Sequence, residues 1–310
     1  MSDPAVAALV AAGIAEVQGE APLAPLTTLR VGGAARVLVT VHSDADLAAV
    51  GRVATEYALP WLIVGRGSNL LVPDEGWQGI AVLLGRGLRG VTCSPSPDLV
   101  GGQRVRAGAA EPLPALAVRV ADAGCAGFAW ACAVPGTVGG AVRMNAGAHG
   151  GDMASHLVEV DLIRLRSGAR ETWIVDALGL SYRRSQLPDD AVVVSATLDL
   201  PAGDPETIRA EIAEIRAWRR THQPLNQPNC GSVFTNPPGD SAGRLVEAAG
   251  CKGLEIGGAS VSQRHANFIV TRPGATAADV LALVAEVQRR VRETAGVDLH
   301  TEVVRVAGAT

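Results

Sequence analysis

Two glycine-rich stretches have residue types that bind anions through backbone N–H groups. The first, VGRGSNL at residues 64–70, lies between two short apolar runs. Consecutive small residues in such a loop leave their N–H groups free to form a concavity that fits a diphosphate. The stretch is not a Rossmann dinucleotide fingerprint, because Pro73 prevents a helix after the loop and the third glycine of that pattern is absent. An ordinary glycine-rich β-turn remains the alternative.

The second stretch, residues 128–147, carries no charged residue from Phe128 to Val142. An uncharged run of this kind is typical of a buried segment, but its Pro, Gly and Asn residues disfavour a helix or a regular strand. Buried irregular backbone needs hydrogen-bond partners, and a large polar cofactor is one way to supply them. A buried glycine-rich turn explains the stretch equally well.

Two polar side chains in other motifs are candidates for charge stabilisation or proton transfer. Arg183 lies beside Tyr182 in SYRRS, residues 181–185, where a solvated turn is the alternative. Ser232, in CGSVFTNP at residues 230–237, has no neighbouring histidine, so it is not a Ser–His–Asp nucleophile or a GxSxG elbow. It is therefore either a proton donor or an ordinary turn serine.

Glu302 is a third candidate and lies in a run that predicts a closing strand from Leu299 to Val306. Strand alternation places Glu302 on the same face as Val304. A carboxylate on a partly apolar face needs a partner, and when half-buried it tends to be protonated, as general acids are. A carboxylate on the rim of an edge strand is the alternative.

Hydrophobic periodicity and capping residues predict the elements that position these side chains. The predicted helices are residues 4–18, a segment that begins with Ser43 and Asp46, residues 112–123, a segment that begins at Asp204, and residues 277–295. The predicted strands are residues 35–41, 60–64, 70–72, several short runs within 79–105, 158–162, 191–200 and 299–306. The fold class is therefore α+β, with a domain boundary at the turn sequence PAGDP, residues 201–205.

The composition describes an apolar-rich chain without a basic face. Of 310 residues, 48% are hydrophobic and 19% are charged, and the net charge is −4. These values exclude wholesale disorder and argue against a nucleic-acid partner. The longest uncharged run, which includes Gly124 to Val142, is broken by Pro135, and no signal-peptide pattern begins the sequence, so we expect a cytoplasmic protein that binds no membrane. We also expect a monomer and, without a CxxC pair, no metal site.

Taken in order, the motifs resemble those of the UDP-N-acetylenolpyruvoylglucosamine reductase (UDP-N-acetylmuramate dehydrogenase) family, flavoenzymes that complete UDP-N-acetylmuramate in peptidoglycan synthesis. The resemblance runs from Thr27 to Val304 and rests on TLRVGG, VGRGSNLLV, VPGTVGGAVRMNAGAHGG, SYRRS, GSVFTNP, AGRLVEAAGCKG, HANFIV and HTEV. No single motif is as specific as the series. Between Tyr182 and Ser232 there is no long tyrosine-bearing insertion, so the chain resembles the shorter type of the family.

The resemblance implies non-covalently bound FAD, NADPH as the hydride donor, and a small-molecule substrate. It implies a two-part FAD-binding domain of the vanillyl-alcohol-oxidase (PCMH) type at 1–203, with parts of roughly 1–80 and 81–203, and a smaller α+β substrate-binding domain at 204–310. The cofactor-binding residues that it implies are Gly65, Arg66, Gly67, Ser68, Asn69 and Leu70 in the first stretch, and Pro135, Gly136, Thr137, Gly139, Gly140, Asn145, Ala146 and Gly147 in the second.

The resemblance also implies a catalytic group of Arg183, Ser232 and Glu302. Ser232 would add a proton at the α carbon of the enolpyruvyl ether after hydride transfer to the β carbon. Arg183 and Glu302 would stabilise the negative charge that develops on the substrate carboxylate. The expected substrate-binding residues are Tyr182, Asn236, Arg244 and His265.

Four residues depart from the family pattern, which leaves the affinity for cofactor and nucleotide open: Ala129 for Glu, Ala133 for Gly, Cys230 for Ala and Thr235 for Lys. One alternative function is another flavin oxidoreductase on the same fold, for which His149 is a weakly placed candidate for covalent flavin attachment. A second is a non-catalytic nucleotide-sugar-binding protein. Retention of the three expected catalytic residues argues against the second alternative.

Overall fold

The computed structural model describes residues 3–306 and mixes helices with strands along the chain. The α-helices are α1 (Pro4–Ala11), α2 (Asp44–Glu56), α3 (Leu113–Asp122), α4 (Val138–Arg143), α5 (Pro205–His222), α6 (Ala242–Ala248) and α7 (Ala277–Ala295). Short 3-10 helices cover Ala24–Leu26, Arg86–Leu88, Ala129–Ala133 and Val175–Leu178. The strands are β1 (Glu16–Pro22), β2 (Ala34–Val41), β3 (Trp61–Val64), β4 (Leu70–Leu71), β5 (Trp77–Leu84), β6 (Val91–Pro95), β7 (Gln103–Gly108), β8 (Gly147–Ala148), β9 (Gly151–Asp152), β10 (Leu157–Arg164), β11 (Arg170–Ile174), β12 (Ala191–Leu200), β13 (Asn229–Ser232), β14 (Glu255–Ile256), β15 (Ala259–Val261), β16 (Phe268–Thr271) and β17 (Val304–Arg305). This content confirms the predicted α+β class.

The described chain divides into two compact units, each built from segments that are distant in sequence. The first unit comprises residues 3–19, Val37–Gly65 and Gly79–Trp218, and the second comprises Glu20–Arg36, Arg66–Gln78 and residues 219–306. Two segments from the first quarter of the chain therefore belong to the unit that contains its C-terminal part. The division into functional domains at residue 203 stays a prediction.

The first unit contains a five-stranded sheet and most of a four-stranded sheet, with helices packed on them. A four-stranded sheet has the strand order β1-β2-β5-β3, and its core includes residues of α1 and α2. Burial alternates strictly along β2, which confirms the predicted strand. Ser43 and Asp46 form the predicted capping box at the start of α2, because each side chain bonds the other residue's backbone N–H.

The second sheet of the first unit is antiparallel, with the strand order β11-β10-β12-β7-β6. The pairing of β10 with β12 confirms the two strands predicted at 158–162 and 191–200. The hydrophobic core on this sheet includes residues of α3 and the buried stripe of α5, which is formed by Ile208, Ile212 and Ile215. Asp204 accepts a hydrogen bond from the Thr207 N–H at 2.8 Å and so caps the start of α5 as predicted.

The second unit is a four-stranded sheet, β13-β16-β15-β14, with α6 and α7. Thr276 and Asp279 form the predicted capping box at the start of α7, and Gly296 ends the helix in the left-handed conformation. Leu29 and Leu71, from the two early segments, lie in the same hydrophobic core as the buried face of α7. This core is where the expected Ser232 and Glu302 segments are anchored.

Two predicted elements are wrong in extent. The predicted helix at 4–18 ends at Ala11, because Gly13 adopts φ +91°, and β1 begins at Glu16. The predicted strand from Leu299 to Val306 is regular only at β17, because the segment changes partner along its length. Thr301 bridges Phe234, whereas β17 pairs in parallel with β4.

One buried carboxylate, Asp161, accepts hydrogen bonds from side chains of other strands in the second sheet of the first unit. Asp161 on β10 is 7% exposed and accepts hydrogen bonds from Arg106, from Arg170 at 3.0 Å, from Thr172 at 2.6 Å and from Ser195 at 3.0 Å. Burial by itself raises the pKa of Asp161, but these donors outweigh burial and hold the pKa well below its usual range.

We expect Asp161→Asn to lower the free energy of unfolding by about 1–3 kcal/mol at pH 7, because four donors lose a charged acceptor. A carboxyl whose pKa is lowered by folding stabilises the fold above the unfolded pKa of about 4 and loses that contribution as the pH falls. The difference between wild type and variant should therefore shrink below about pH 4 in urea unfolding measured from pH 7 to pH 3. Asp98→Asn, whose side chain is 70% exposed, is the control and should change the stability by less than about 0.5 kcal/mol. A difference that stays constant with pH would contradict this account.

Candidate active site

The part of the first glycine-rich stretch that lies in the second unit, Arg66–Asn69, presents unpaired amide groups. Gly67 has φ +59°, and a Cβ there would lie 2.1 Å from the Leu26 carbonyl oxygen, so only glycine fits. The Thr28 N–H donates to the Gly67 carbonyl at 3.2 Å. The four amide N–H groups of Arg66–Asn69 donate no hydrogen bond to any residue between 3 and 306. Consecutive free N–H groups beside a left-handed glycine fit the diphosphate of a dinucleotide cofactor.

In the first unit, Gly65 lies against the second glycine-rich stretch. A Cβ on Gly65 would lie 2.8 Å from Oγ1 of Thr137. Thr137 is the N-cap of α4, and its Oγ1 accepts a hydrogen bond from the Gly140 N–H at 3.4 Å. The structure therefore brings Gly65 together with Thr137, two of the residues expected to bind the cofactor.

The second stretch is more regular than its composition suggests. The prediction that it forms neither a helix nor a regular strand is therefore wrong. It forms the 3-10 helix Ala129–Ala133 and the helix α4. The Val138 and Gly139 N–H groups donate to the carbonyls of Glu111 and Ala109, each at 2.9 Å. Protein groups thus bond two backbone N–H groups of a stretch for which a cofactor was one possible source of partners. The buried indole Nε1 of Trp130, in contrast, has no hydrogen-bond partner among residues 3–306.

The SYRRS motif forms a tight turn that carries Arg183. Ser181 and Arg184 exchange backbone hydrogen bonds at 2.9 and 3.0 Å, which leaves Tyr182 and Arg183 at the turn. Arg183 has φ +57°, a left-handed conformation that costs a residue with a Cβ about 1–2 kcal/mol. Its Nη2 donates to the Gly147 carbonyl at 2.6 Å, and its Cζ lies 4.9 Å from the centroid of the Tyr182 ring. The contact joins the expected catalytic arginine to the second glycine-rich stretch.

The remaining expected residues of the second stretch lie before and after α4. Pro135 and Gly136 lead into the cap at Thr137, and Asn145 is buried with φ +37°. Ala146 accepts a backbone hydrogen bond from Met153 at 2.9 Å, and Gly147 begins the hairpin of β8 and β9.

Arg143, which the sequence did not single out, braces the chain that follows the SYRRS turn. Its guanidinium donates to the carbonyls of Leu187, Pro188 and Ala191 at 2.7, 3.0 and 2.8 Å. Burial lowers the pKa of Arg143 from its usual value. The only hint in the sequence is an arginine that follows a long uncharged run.

In the second unit, the structure brings Ser232 and Glu302 together. Ser232 is the last residue of β13 and lies opposite Phe268 of β16. The Glu302 N–H donates to the carbonyl of Val233, the residue after Ser232, at 2.7 Å. Asn69 joins them, because its Nδ2 donates to the Glu302 carbonyl at 3.1 Å and its own carbonyl accepts from the Val304 N–H at 2.9 Å. Residues from both ends of the chain thus meet within one unit.

Burial determines the protonation state of the thiol beside Ser232. Cys230 is buried, which raises the pKa of its thiol to about 12. The thiol is therefore protonated at neutral pH and is a poor nucleophile.

Asn267 holds the backbone that follows Ser232 and was not among the residues predicted from the sequence. Its side chain accepts from the Phe234 N–H at 3.0 Å and donates to the Phe234 carbonyl at 2.8 Å. Its own carbonyl accepts from the Val233 N–H at 2.9 Å. Asn267 is 4% exposed, so an asparagine within the apolar HANFIV motif was the available signal.

The four expected substrate-binding residues have separate surroundings. Tyr182 lies in the first unit and is 56% exposed. In the second unit, Asn236 Oδ1 accepts from the Ala242 N–H at 3.0 Å. Arg244 donates from Nε to Asp240 at 2.7 Å, and this pairing raises the pKa of Arg244 and lowers that of Asp240 to about 2. Burial lowers the pKa of His265, whose ring packs edge-on against Phe268 with centroids 4.7 Å apart. His265 is therefore neutral at pH 7.

Gly67→Ala tests the first glycine-rich stretch. We expect it to weaken FAD binding by at least about tenfold, because the added Cβ at 2.1 Å from a carbonyl oxygen forces the loop backbone to move. The measurement is a titration of the apoprotein with FAD, followed by flavin fluorescence. Gly239→Ala is the matched control, because Gly239 also has positive φ, at +78°, but open space around its Cβ position. Equal FAD affinities of the two variants would contradict the assignment of the loop.

Two kinds of feature are absent from the described residues. Across residues 3–306, no group of three or more His, Cys, Asp and Glu side chains is arranged to hold a metal ion. The helices in this range include none with both the length and the apolar character needed to cross a membrane.

The chain is similar in sequence and structure to known proteins of one family. A model of the FAD binding domain matches residues 35–172, and a model of the UDP-N-acetylenolpyruvoylglucosamine reductase C-terminal domain matches residues 223–306. The UDP-N-acetylenolpyruvoylglucosamine reductase of Heliobacterium modesticaldum is 45% identical and covers 93% of this chain and 89% of its own. That of Sphingopyxis alaskensis is 44% identical over 94% of each chain. The crystal structure of the reductase from Thermus caldophilus superposes with a TM-score of 0.77 at 37% identity, covering 94% of this chain and 98% of its own. The chain therefore belongs to the UDP-N-acetylenolpyruvoylglucosamine reductase family of FAD-dependent oxidoreductases.

Proposed function

We propose that this protein reduces the enolpyruvyl ether of UDP-N-acetylglucosamine enolpyruvate to UDP-N-acetylmuramate, with NADPH as the hydride donor and Ser232 as the proton donor. The observation that carries the proposal is the junction of Ser232, Glu302 and Asn69 in one unit, where Asn69 also belongs to the loop with four unpaired amide groups. The chemistry that FAD supplies when bound is hydride transfer from NADPH to the β carbon of the substrate.

The residues that hold the cofactor lie on the two glycine-rich stretches. The N–H groups of Arg66, Gly67, Ser68 and Asn69 bind the FAD diphosphate, flanked by Gly65 and Leu70. The second stretch contributes Pro135, Gly136, Thr137, Gly139, Gly140, Asn145, Ala146 and Gly147 through its backbone. The family-model matches at 35–172 and 223–306 lie on either side of residue 203, which supports a flavin-binding domain before it and a substrate-binding domain after it.

Ser232 delivers the proton that completes the reduction. Its hydroxyl lies at the end of β13, where the bonds of Asn267 to Phe234 fix the backbone that follows. Ser232 Oγ transfers its proton to the α carbon after the hydride has added to the β carbon, so one C–H bond forms at each carbon. The Ser232 alkoxide then regains a proton from water.

Arg183 and Glu302 stabilise the substrate carboxylate as it gains negative charge. A guanidinium presents two parallel N–H donors to a carboxylate, and a protonated Glu302 donates one further hydrogen bond. Because this charge exceeds that of the ground state, these donors lower the barrier more than they tighten binding. Tyr182, Asn236, Arg244 and His265 bind the rest of the substrate. We further infer that the protein is a cytoplasmic monomer. We also infer that it has no nucleic-acid partner, and the net charge of −4 supports this second inference.

The test is a pair of anaerobic half-reactions on the purified holoprotein. NADPH should bleach the visible flavin absorbance, and UDP-N-acetylglucosamine enolpyruvate should then restore it. A protein that bleaches but does not respond to this substrate would be a different flavin oxidoreductase. Flavin that stays with the protein after acid precipitation would indicate covalent attachment, with His149 as the first position to examine. A protein that takes up no FAD would be a binding protein for nucleotide sugars.

A further inference from the structure

One short segment of the second glycine-rich stretch, residues 143–147, bonds to the turn in which Arg183 has its left-handed conformation. Three hydrogen bonds connect this segment to the SYRRS turn. Arg183 Nη2 donates to the Gly147 carbonyl at 2.6 Å, Ser185 Oγ donates to the Arg143 carbonyl at 2.7 Å, and Asn145 Nδ2 donates to the Ser181 carbonyl at 3.0 Å. The bonds reach the turn at its first residue, at the guanidinium and at the residue after the turn.

Asn145 differs from the other two positions because it contributes both polar atoms of its side chain. Its Oδ1 accepts a hydrogen bond from the Ala154 N–H at 2.9 Å, in addition to the bond from Nδ2 to Ser181. A backbone N–H can only donate and a carbonyl can only accept, so these partners determine the orientation of the amide group. Asn145 is 3% exposed, and its φ of +37° is one that asparagine tolerates better than most residues.

Both ends of the Asn145 amide are thus bonded to protein backbone. Each of these atoms can make one further bond, but Asn145 is only 3% exposed, which leaves almost no surface through which a ligand could reach them. The Ser181 carbonyl also accepts the Arg184 N–H, so the bond from Asn145 acts on the atom that closes the turn.

We propose that Asn145 is a positioning residue for Arg183 and that its side chain is not a flavin ligand. The bond from Asn145 to Ser181 fixes the base of the turn, which sets the direction in which the Arg183 guanidinium projects. The inference rests on the proposed function for its catalytic consequence, but not for its structural claim. A misplacement of about 1 Å in a positioned group costs up to about 10²-fold in rate.

The test uses Asn145→Asp, which keeps an oxygen acceptor for Ala154 but loses the donor to Ser181. We expect FAD affinity and the rate of flavin reduction by NADPH to stay within about threefold of wild type, while flavin reoxidation by the enolpyruvyl substrate falls about 10- to 100-fold. In the Arg183→Ala background, Asn145→Asp should change reoxidation by less than about twofold, because the group that it positions is absent. A large loss of FAD affinity with unchanged reoxidation, or equal losses in both backgrounds, would overturn the proposal.

A second measurement needs no catalysis. We expect trypsin to cleave the Asn145→Asp protein after Arg183 or Arg184 at least about tenfold faster than wild type, because the turn opens more often. Cleavage after Arg166, in the exposed turn between β10 and β11, is the internal reference and should not change. Unchanged cleavage at the SYRRS turn would overturn the structural claim.

Ser185→Ala keeps the proposal testable if Asn145→Asp does not fold. It removes only the bond to the Arg143 carbonyl, and we expect the same pattern with a smaller effect on reoxidation and trypsin cleavage. No effect on either would count against positioning by this segment. If Arg183→Ala itself leaves reoxidation unchanged, the proposed role of Arg183 fails, and the cleavage rates still decide whether Asn145 holds the turn.

Discussion

Ser232→Ala should slow flavin reoxidation by the enolpyruvyl substrate by about 10² to 10⁴, or about 3–5 kcal/mol of activation free energy, and leave flavin reduction by NADPH unchanged. The reason is that Ser232 acts only on the proton delivered to the substrate, which takes no part in the first half-reaction. Anaerobic stopped-flow measurement of the two half-reactions separates these rates.

Ser260→Ala is the matched control for Ser232→Ala, because Ser260 lies on β15 of the same sheet and has no proposed role in binding or catalysis. Both half-reactions of this control should match wild type within about twofold. If Ser232→Ala lost the first half-reaction as well, Ser232 would be a structural or cofactor-binding residue. Cys230, two residues before Ser232, has a thiol pKa of about 12, which excludes it as a thiolate nucleophile but not as an alternative acid. We expect the double variant Ser232→Ala and Cys230→Ala to behave like Ser232→Ala alone, which would exclude Cys230 as the acid.

Arg183→Ala should slow reoxidation by about 10² to 10³, because the developing charge on the substrate carboxylate loses its cation. Guanidinium ion added to the buffer should restore part of the rate, since the missing group is then supplied from solution. Arg183→Lys should fall between wild type and Arg183→Ala, because lysine keeps the charge but has no planar fork of donors. The measurement is again the rate of the second half-reaction at saturating substrate.

The neighbouring residue offers a close control for Arg183→Ala. Arg184 lies in the same turn, carries the same charge and is exposed. Arg184→Ala should keep both half-reactions within about twofold of wild type. Equal losses in the two variants would mean that the turn acts through its overall charge and would remove the specific role of Arg183.

Elements with local signals could be predicted from the sequence. The capping boxes at Ser43 and Thr276 are marked by residues three positions apart, and the alternation of β2 is contained in eight residues. The helix α4 was missed, because its glycines hid the cap at Thr137. A sequence pattern predicts an element reliably where the hydrogen bonds that form the element join residues close together in the sequence.

Features that depend on distant partners could not be predicted from the sequence. The extent of the closing strand was wrong, because its partners, Phe234 and β4, lie far away in the chain. Asn267 and Arg143 were missed for the same reason, since a single polar residue in an apolar run does not say which backbone it will bond. Order and type of motif were sufficient to identify the family, but the contacts that hold Arg183 and Ser232 became visible only in three dimensions.

The composition of the second unit has a consequence for synthesis on the ribosome. Glu20–Arg36 and Arg66–Gln78 emerge early, but the rest of their unit begins at position 219. At about 5–20 residues per second, both segments wait for many seconds before that part of the unit is made. Leu29, Val31 and Leu71, which end up buried in that core, are exposed to chaperones during the wait. The parallel pairing of β4 with β17 joins positions 70 and 304, so the second unit is completed only after residue 305 has been made.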